Sequence, residues 1–253
     1  MKLSDKVAIV TGAGRGIGRA IALGYARESA SLVICSRTDD QIRSVQEEIS
    51  QLGGRCIRRL CDVRSEDNVK QLIELTLQEF DRIDILVNNA AVGMGVIGPD
   101  FMERPICFWE IDEIHWSQIT DTSFKGVFLC SKAVVPQFIR QGSGKIINIT
   151  VGPVIFTRKG FSPYGSSKAG MESLTRVMAV ELEEYGVCVN LLAPGGGVDT
   201  ELIPKKEQAK GRDRLLKPEI IVPAAVYLAS EEVRLTGQII NAKEWNADRG
   251  ISI

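Results

Sequence analysis

The alternation of short apolar runs with segments of helical period constrains the fold of this chain more than any other feature. A run that is apolar throughout is typical of a parallel strand covered on both faces. Strand-like segments, most of them such runs, are separated by helical patterns and lie at residues 7–10, 32–35, 56–63, 83–91, 145–150, 187–193 and 237–241. We therefore predict an α/β protein with a single doubly wound, Rossmann-type parallel sheet of about seven strands and helices on both faces.

The length of the chain suits one domain. At 253 residues it is long enough to bury a sizeable core, and no internal period suggests a repeat architecture. Two small domains would fit the same length. We expect a single domain over residues 1–253.

Charge and hydropathy argue against several kinds of partner. The chain has 31 Lys and Arg residues against 32 Asp and Glu residues, without a basic stripe, which disfavours nucleic acid and an anionic membrane. No apolar run reaches the roughly 18 residues of a membrane span, and the first residues lead into a strand rather than a signal peptide. We expect a cytoplasmic protein that binds a small molecule.

The cysteines and the histidine give no sign of a metal site. The six cysteines lack CxxC spacing, and several lie in apolar runs, which favours reduced packing residues over disulfides or metal ligands. His115 lies in the first turn of a helix that Asp112 can cap, without the further ligands that a metal ion needs. We assign no metal to this chain.

A glycine-rich turn follows the first strand. Residues 11–18 read Thr-Gly-Ala-Gly-Arg-Gly-Ile-Gly and open a helix, so the backbone can approach a pyrophosphate beside unpaired N–H groups. The spacing differs from GxGxxG, so the motif by itself fits a nucleotide site and a plain glycine-rich turn equally. The candidate cofactor contacts here are Gly12, Gly14, Arg15, Gly16, Ile17 and Gly18.

The end of the second strand bears on which nucleotide would bind. An acidic residue at this position commonly holds a free ribose 2′-OH, but this chain has Ser36 and Arg37. Arg37 and Arg15 supply two guanidinium groups where a 2′-phosphate would lie. We therefore favour NADP(H) over NAD(H), with two solvated arginines as the alternative.

Tyr164 and Lys168 are a candidate catalytic pair. Four residues apart on a helix, they share a face, which can set an ammonium group beside a phenol. Bringing a tyrosine from its ordinary pKa near ~10 toward neutrality takes roughly 4 kcal/mol. Such a tyrosine can exchange a proton with a hydroxyl or carbonyl oxygen, although isolated pairs of this kind also occur by chance on helix surfaces.

Apolar residues outside the regular elements indicate a pocket for a substrate with hydrophobic bulk. Residues 93–111 follow no strand or helix period, and another loop precedes Tyr164. Large apolar side chains in such connections are candidate pocket walls, namely Met94, Phe101, Phe108, Trp109, Phe156 and Phe161. The polar residues at about 198–217 are predicted to form a flap over the site.

Together these motifs resemble those of the short-chain dehydrogenase/reductase family over nearly the whole chain. Residues 11–18 are similar to its TGxxxGxG turn, residues 88–91 to its NNAG segment, residues 164–168 to its YxxxK motif and residues 194–195 to its PG motif. The resemblance implies a nicotinamide cofactor, with Tyr164 as general acid/base and Lys168 holding the nicotinamide ribose and lowering the pKa of Tyr164. It also implies a homotetramer, with a dimer as the next choice.

The resemblance assigns further cofactor contacts. It implies that Asp62 and Val63 border the adenine, that Asn88 and Ala90 border the adjoining ribose, and that Thr200 contacts the carboxamide. The PG motif and the residues after it complete the set, with Pro194, Gly195 and Val198.

Two positions depart from the family pattern near the candidate catalytic pair. The substrate-orienting serine, thirteen residues before the tyrosine, is Val151 here, and the helix asparagine that holds a proton-relay water aligns with Ser123. Valine cannot donate a hydrogen bond, and Thr150 could do so only if the loop shifted register. Losing one such donor costs ~10²–10³ in rate. The candidate catalytic residues are therefore Tyr164, Lys168, Thr150 and Ser123.

Two functional hypotheses follow. The first is an NADP(H)-dependent oxidoreductase that transfers a hydride between nicotinamide and a carbonyl or secondary alcohol. The alternative is a nucleotide-binding sensor or scaffold with little catalytic activity, because the usual serine and asparagine are replaced. The chain end also departs from the family, since residues 241–246 stand where relatives usually have a glycine-rich segment.

Overall fold

One parallel sheet forms the centre of the fold. A computed structural model describes residues 1–203 and 212–253. The strands are β1 (Val7–Thr11), β2 (Ser31–Ser36), β3 (Cys56–Leu60), β4 (Ile85–Asn88), β5 (Gly144–Ile149), β6 (Val187–Ala193) and β7 (Ile239–Asn241). Within the described residues they form a seven-stranded sheet in the order β3-β2-β1-β4-β5-β6-β7, and all neighbours pair in parallel.

Helices cover both faces of this sheet. They are α1 (Gly16–Arg27), α2 (Asp39–Gln51), α3 (Glu66–Phe80), α4 (Glu113–Thr120), α5 (Gly126–Gln141), α6 (Ser162–Glu181), α7 (Val222–Ala229) and α8 (Ala242–Ala247). Val10 packs with residues of α1, α2 and α7, whereas its neighbour Ile9 packs with residues of α3, α5 and α6. Because alternate strand residues face the two layers, the strands are apolar throughout, and the predicted doubly wound fold is confirmed.

The position of β1 between β2 and β4 creates the site. The chain runs from β1 outward to β3 and then returns to β4 on the other side, which leaves a crevice at the carboxyl ends of the central strands. Thr11 ties β1 to β4 there, since its Oγ1 donates to Val87 O at 3.2 Å and accepts from the backbone N–H groups of Asn89 and Ala90 at 3.0 and 3.1 Å.

The predicted helix from Asp112 to about residue 141 is present but carries an irregular turn. Asp112 caps it by accepting from His115 N at 2.9 Å, and His115 Nδ1 lies 2.6 Å from the same carboxylate. A π-helical turn, Asp121–Lys125, separates α4 from α5. This turn contains Ser123, so it fixes the direction of one of the candidate catalytic side chains.

The chain end forms an element that the sequence did not predict. Pro218–Ile221 is a 3₁₀ turn that leads into α7, and a further short helix follows it. Asn241 accepts from Glu244 N at 3.4 Å and begins α8. Trp245 of α8 packs against Tyr227 of α7, with ring centroids 5.2 Å apart and the ring planes inclined by 40°.

The predicted flap lies partly outside the described residues, which omit 204–211. Its two described flanks are joined: Asp199 N donates to Leu216 O at 2.9 Å, and Leu216 N donates to Gly197 O at 2.8 Å. The six cysteines are free, as predicted. Over residues 1–203 and 212–253, no helix combines the length and the apolar character that a membrane crossing requires.

Candidate functional site

A cleft of about 1150 Å³ opens at the carboxyl ends of the strands and joins the glycine turn to the N-terminal half of α6. All of the predicted cofactor residues line it except Gly18 and Asn88. The Asn88 amide is buried and instead donates to Ser131 Oγ at 3.1 Å and to Asn148 Oδ1 at 2.8 Å. The predicted contact of Asn88 with the ribose is not supported, because its side chain points into the layer between the sheet and α5 rather than into the crevice.

The glycine turn leaves no room for a side chain at Gly12 or Gly18. Gly12 has φ +64°, and a Cβ there would lie 2.8 Å from Ala90 Cα. A Cβ on Gly18 would lie 2.3 Å from Gly12 O, so Gly18 packs the turn against the helix start instead of lining the cleft. A turn with bare backbone at a helix N-terminus fits the phosphates of a dinucleotide.

The far end of the cleft carries cationic side chains. Ser36 Oγ closes a local turn with Thr38, accepting from its N and donating to its O at 3.1 Å. Arg37 lines the cleft beside it, and among the described residues no carboxylate lies within ion-pair distance of its guanidinium. Arg15 is 3.8 Å from Glu201, and both side chains are more than half exposed. This end can therefore accept an anionic group.

Asp62 also lines this end and is held by Arg64. Arg64 Nη2 lies 2.6 Å from Asp62 Oδ2, and this hydrogen bond, with a smaller contribution from Arg37, holds the pKa of the carboxyl below its usual range. The carboxylate is thus ionised and faces the predicted adenine region.

Tyr164 and Lys168 lie at the other end, both buried. Lys168 Nζ donates to Ile149 O at 2.7 Å and lies 5.8 Å from the centroid of the Tyr164 ring. Burial raises the pKa of Tyr164 to about 12 and lowers the pKa of Lys168 to about 8, the latter against the opposing charge of Glu172. Desolvation of the phenol dominates the pKa of Tyr164 in this structure, and the expected lowering of that pKa by Lys168 stays a prediction.

The two candidate donors near this pair are both engaged elsewhere. Thr150 lines the cleft, but its Oγ1 donates to Glu172 Oε1 at 3.0 Å. Ser123 is fully buried and does not line the cleft, since its Oγ lies against the backbone of Val92, 3.3 Å from N and 3.4 Å from O. Direct contact between Ser123 and a substrate is therefore not supported, because the π turn directs its side chain toward Val92.

An apolar cluster forms the wall next to Tyr164. Met94, Phe101 and Phe161 are buried there as predicted, and the rings of Phe101 and Phe161 meet edge to face at 5.4 Å. Phe108 and Trp109 are wrong as wall residues: they are 66% and 72% exposed. They lie in a 3₁₀ turn with a capping box, in which Glu110 Oε2 accepts from Cys107 N at 2.9 Å. Phe156 is partly buried but does not line the cleft.

Two residues of the site, Asn89 and Glu172, were not predicted from the sequence. Asn89 donates from Nδ2 to both Thr11 O and Gly12 O at 3.0 Å, and its place in the NNAG-like segment was a usable signal. Glu172 lines the cleft one helical turn after Lys168, and that spacing could have identified it. Among the described residues no group of three or more His, Cys, Asp or Glu side chains is arranged to hold a metal ion.

Comparison with known proteins extends over the whole chain. Residues 6–211 match the family model for short chain dehydrogenase. The chain is 32% identical over 248 residues to the 3-oxoacyl-[acyl-carrier-protein] reductase FabG of Thermotoga maritima, covering 95% of this chain and 97% of that protein. It is 36% identical over 266 residues to the short chain dehydrogenase/reductase astE of Aspergillus oryzae, covering 99% and 96%.

Solved structures give the same picture. A short-chain dehydrogenase/reductase from Burkholderia xenovorans has a TM-score of 0.85 at 32% identity, covering 97% of this chain and 98% of that chain. A metagenomic short-chain oxidoreductase in complex with NADP has a TM-score of 0.80 at 28% identity, covering 95% and 97%. The similarity thus holds in sequence and in fold.

Proposed function

Because the chain belongs to the short-chain dehydrogenase/reductase family, we propose that it is an NADP(H)-dependent oxidoreductase acting on a carbonyl or secondary-alcohol carbon. The observation that carries this proposal is the single cleft shared by a bare glycine turn and the buried Tyr164–Lys168 pair. A dinucleotide long enough to start at the turn would end beside the phenol. Residues 1–253 would then form one catalytic domain.

The residues divide the chemistry in a definite way. When bound, the nicotinamide supplies or accepts the hydride. Tyr164, whose phenol is protonated at neutral pH, donates its proton to the substrate oxygen during reduction and takes one back during oxidation. Lys168 is fixed by the Ile149 carbonyl and contributes positive charge beside the phenol. The apolar wall of Met94, Phe101 and Phe161 excludes water and favours a substrate with hydrophobic bulk.

The preference for NADP(H) is supported by the cationic end of the cleft. Arg37 is without an ion-pair partner among the described residues, Arg15 is opposite a solvent-exposed carboxylate, and Ser36 stands where an acidic residue would repel a 2′-phosphate. Guanidinium groups bind phosphate through paired hydrogen bonds. Titration should show tighter binding of NADPH than of NADH, and equal affinities would contradict the proposal.

Turnover is tested with a panel of carbonyl compounds and NADPH consumption as the readout. Wild type should oxidise NADPH with at least one ketone, and Tyr164→Phe should bind NADPH normally but lose that activity. If wild type and Tyr164→Phe bind cofactor alike and share the same background rate on every compound, the protein is a nucleotide-binding sensor or scaffold instead.

We also propose that the protein assembles as a homotetramer in the cytoplasm. Support for assembly comes from apolar side chains left exposed on neighbouring helices, Phe128 on α5 and Val177 and Val180 on α6, at 45%, 49% and 76% exposure. Neighbouring exposed apolar residues are typical of surfaces that contact another subunit.

A further inference from the structure

Helix α6 carries a third buried ionisable group in the cleft, Glu172, which the proposed mechanism does not use. It is 7% exposed and lines the cleft one turn after Lys168 and two turns after Tyr164. A carboxylate at this depth is unfavourable unless it is hydrogen-bonded and paired with positive charge. The hydrogen bond and the ion pair of the Glu172 carboxylate therefore indicate its role.

Each carboxylate oxygen has a different neighbour. Thr150 Oγ1, at the end of β5, donates to Oε1 at 3.0 Å. Arg176 Nη2, one turn further along α6, lies 3.7 Å from Oε2, and the arginine side chain is 57% exposed. The hydroxyl thus fixes the buried oxygen, while the arginine reaches the other oxygen from the solvent side.

Glu172 is an anionic neighbour of Lys168 on the same face of α6. Burial lowers the pKa of the Lys168 ammonium and the charge of Glu172 raises it again. The other charged groups that line the cleft are Arg176 on α6, Arg158 in the connection before α6, Glu244 on α8, and Asp62, Arg15, Arg37 and Glu201 at the far end. Of the described charged groups that line the cleft, Glu172 is the one that shifts the pKa of Lys168.

We propose that Glu172 is a positioning residue whose carboxylate, held by Thr150, keeps Lys168 charged beside Tyr164. The inference rests on the proposed function, because a charged Lys168 matters only if the phenol exchanges protons. It also gives Thr150 a role: its hydroxyl orients the carboxylate whose charge acts on Lys168, and it does not replace the serine missing at Val151.

The charge balance explains why this arrangement is needed. With Glu172 ionised, two cations and one anion lie along one face of α6. Without that anion, Lys168 and Arg176 would be left as two cations on the same helix face, and burial would drive Lys168 to its neutral form. A neutral amine no longer favours the phenolate of Tyr164.

The direct test follows the titration of Lys168 in the cofactor-free protein. The ¹⁵N signal of its amine, assigned by its loss in Lys168→Met, should titrate near the pKa of about 8 in wild type. In Glu172→Gln the midpoint should fall by roughly 1–2 pH units. Glu181→Gln, an exposed change on the same helix, should leave the midpoint where it is. An unshifted midpoint in folded Glu172→Gln would overturn the proposal.

A second variant guards against misfolding of the first. Glu172→Asp keeps the charge but withdraws it from Thr150, so the midpoint should lie between those of wild type and Glu172→Gln. If Glu172→Gln does not fold, Thr150→Val, which releases the carboxylate, is titrated beside Glu172→Asp, and wild-type midpoints in both variants overturn the proposal. If the carbonyl panel finds no turnover, the proposed function fails, while the titration still decides the role of Glu172.

The pH dependence of kcat/KM distinguishes a positioning role of Glu172 from a purely structural one. A step that needs charged Lys168 is lost as pH rises through its pKa, so the alkaline limb of kcat/KM should move to lower pH in Glu172→Gln. Acidification should then restore the variant toward the wild-type rate. A variant that is slower by the same factor at every pH would show a structural role and overturn the proposal.

Discussion

At the scale of single residues, the groups that we expect to carry the chemistry are held in an environment that opposes their charge. Tyr164 and Lys168 share a buried helix face, and burial moves the pKa of each toward its neutral form. The sequence supplied the pairing, because i, i+4 spacing is fixed by helix geometry. It could not supply the direction of the Tyr164 pKa, which depends on burial depth and on where Lys168 Nζ is anchored.

Lys168 should lower the stability of the fold. Its folded pKa of about 8 is below its ordinary 10.5, so between these values the unfolded chain binds more protons and stability rises with pH. The cost is fully present below about 8. Lys168→Met should therefore raise the free energy of unfolding by up to roughly 3 kcal/mol at neutral pH.

Urea denaturation of wild type and Lys168→Met at neutral and at alkaline pH measures this effect. The difference between the two proteins should shrink as pH approaches 10.5. A difference that is the same at both pH values would show that the amine charge is not its source.

Val151 should limit the rate. Its side chain lines the cleft and contacts the apolar cluster around Tyr164, where it offers no hydrogen bond to a developing oxyanion. Val151→Ser should raise kcat on an accepted ketone by up to ~10²–10³. The double variant with Tyr164→Phe is the control and should remain inactive. An unchanged kcat in Val151→Ser would mean that the oxyanion is stabilised elsewhere.

Arg37 should set the choice of cofactor. Arg37→Ala should weaken NADPH binding several-fold and leave NADH binding nearly unchanged, because only the former carries the 2′-phosphate. Isothermal titration with both cofactors measures this, with Arg55→Ala on the outer surface as the control. Equal weakening for both cofactors would place Arg37 against a group that they share.

At the scale of elements, the sequence predicted segments whose hydrophobic pattern extends over many residues. It did not predict features that depend on one inserted residue or on a few residues. The strands follow from continuous apolar runs, because both faces of the sheet are covered. The long helices follow from apolar residues at helical spacing, because one face of each helix packs on the sheet. The π turn at Asp121–Lys125 adds one residue to a helix, which barely alters the apolar pattern yet turns Ser123 away from the cleft. Helix α8 is six residues long, too short for a recognisable period.

The connection over residues 93–111 shows the same limit. Its apolar composition correctly indicated a pocket wall, and Met94 and Phe101 are buried. Phe108 and Trp109 are also large and apolar, but they lie in a 3₁₀ turn with a capping box formed by Cys107 and Glu110 and are exposed. Which side chains of an irregular segment face inward depends on such local hydrogen bonds, and residue type alone does not encode them.

The glycine turn should tolerate no side chain at its inner position. In Gly18→Ala the new Cβ would lie 2.3 Å from Gly12 O and 2.4 Å from Asn89 Nδ2, so the turn must move. NADPH affinity should fall at least about tenfold, with a lower melting temperature. Gly95→Ala, where nothing lies within 4 Å, is the matched control. Normal NADPH binding by Gly18→Ala would show that the turn is not the phosphate site.

At the scale of the whole molecule, the exposed apolar residues of α5 and α6 should be covered by another copy. Val180 is 76% exposed, and Val180→Arg should break the assembly because a buried unpaired charge is strongly unfavourable. Light scattering should give a tetramer mass for wild type and a smaller mass for the variant. Leu52→Arg, 46% exposed on the opposite layer, should leave the tetramer intact. A wild-type mass near 27.7 kDa would contradict this.

The central place of β1 also has a consequence for how the protein is made. Strands β1 to β3 are translated before β4, and until then β1 has one unpaired edge, because its second neighbour is β4, with Ala8 opposite Ile85. An apolar edge of this kind can pair with other chains. We therefore expect the nascent chain to be prone to mispairing while α3 and β4 are translated. The cleft is completed later still, when α6 is translated. A chain truncated before α6 should therefore carry the glycine turn but lack the side of the cleft that α6 forms.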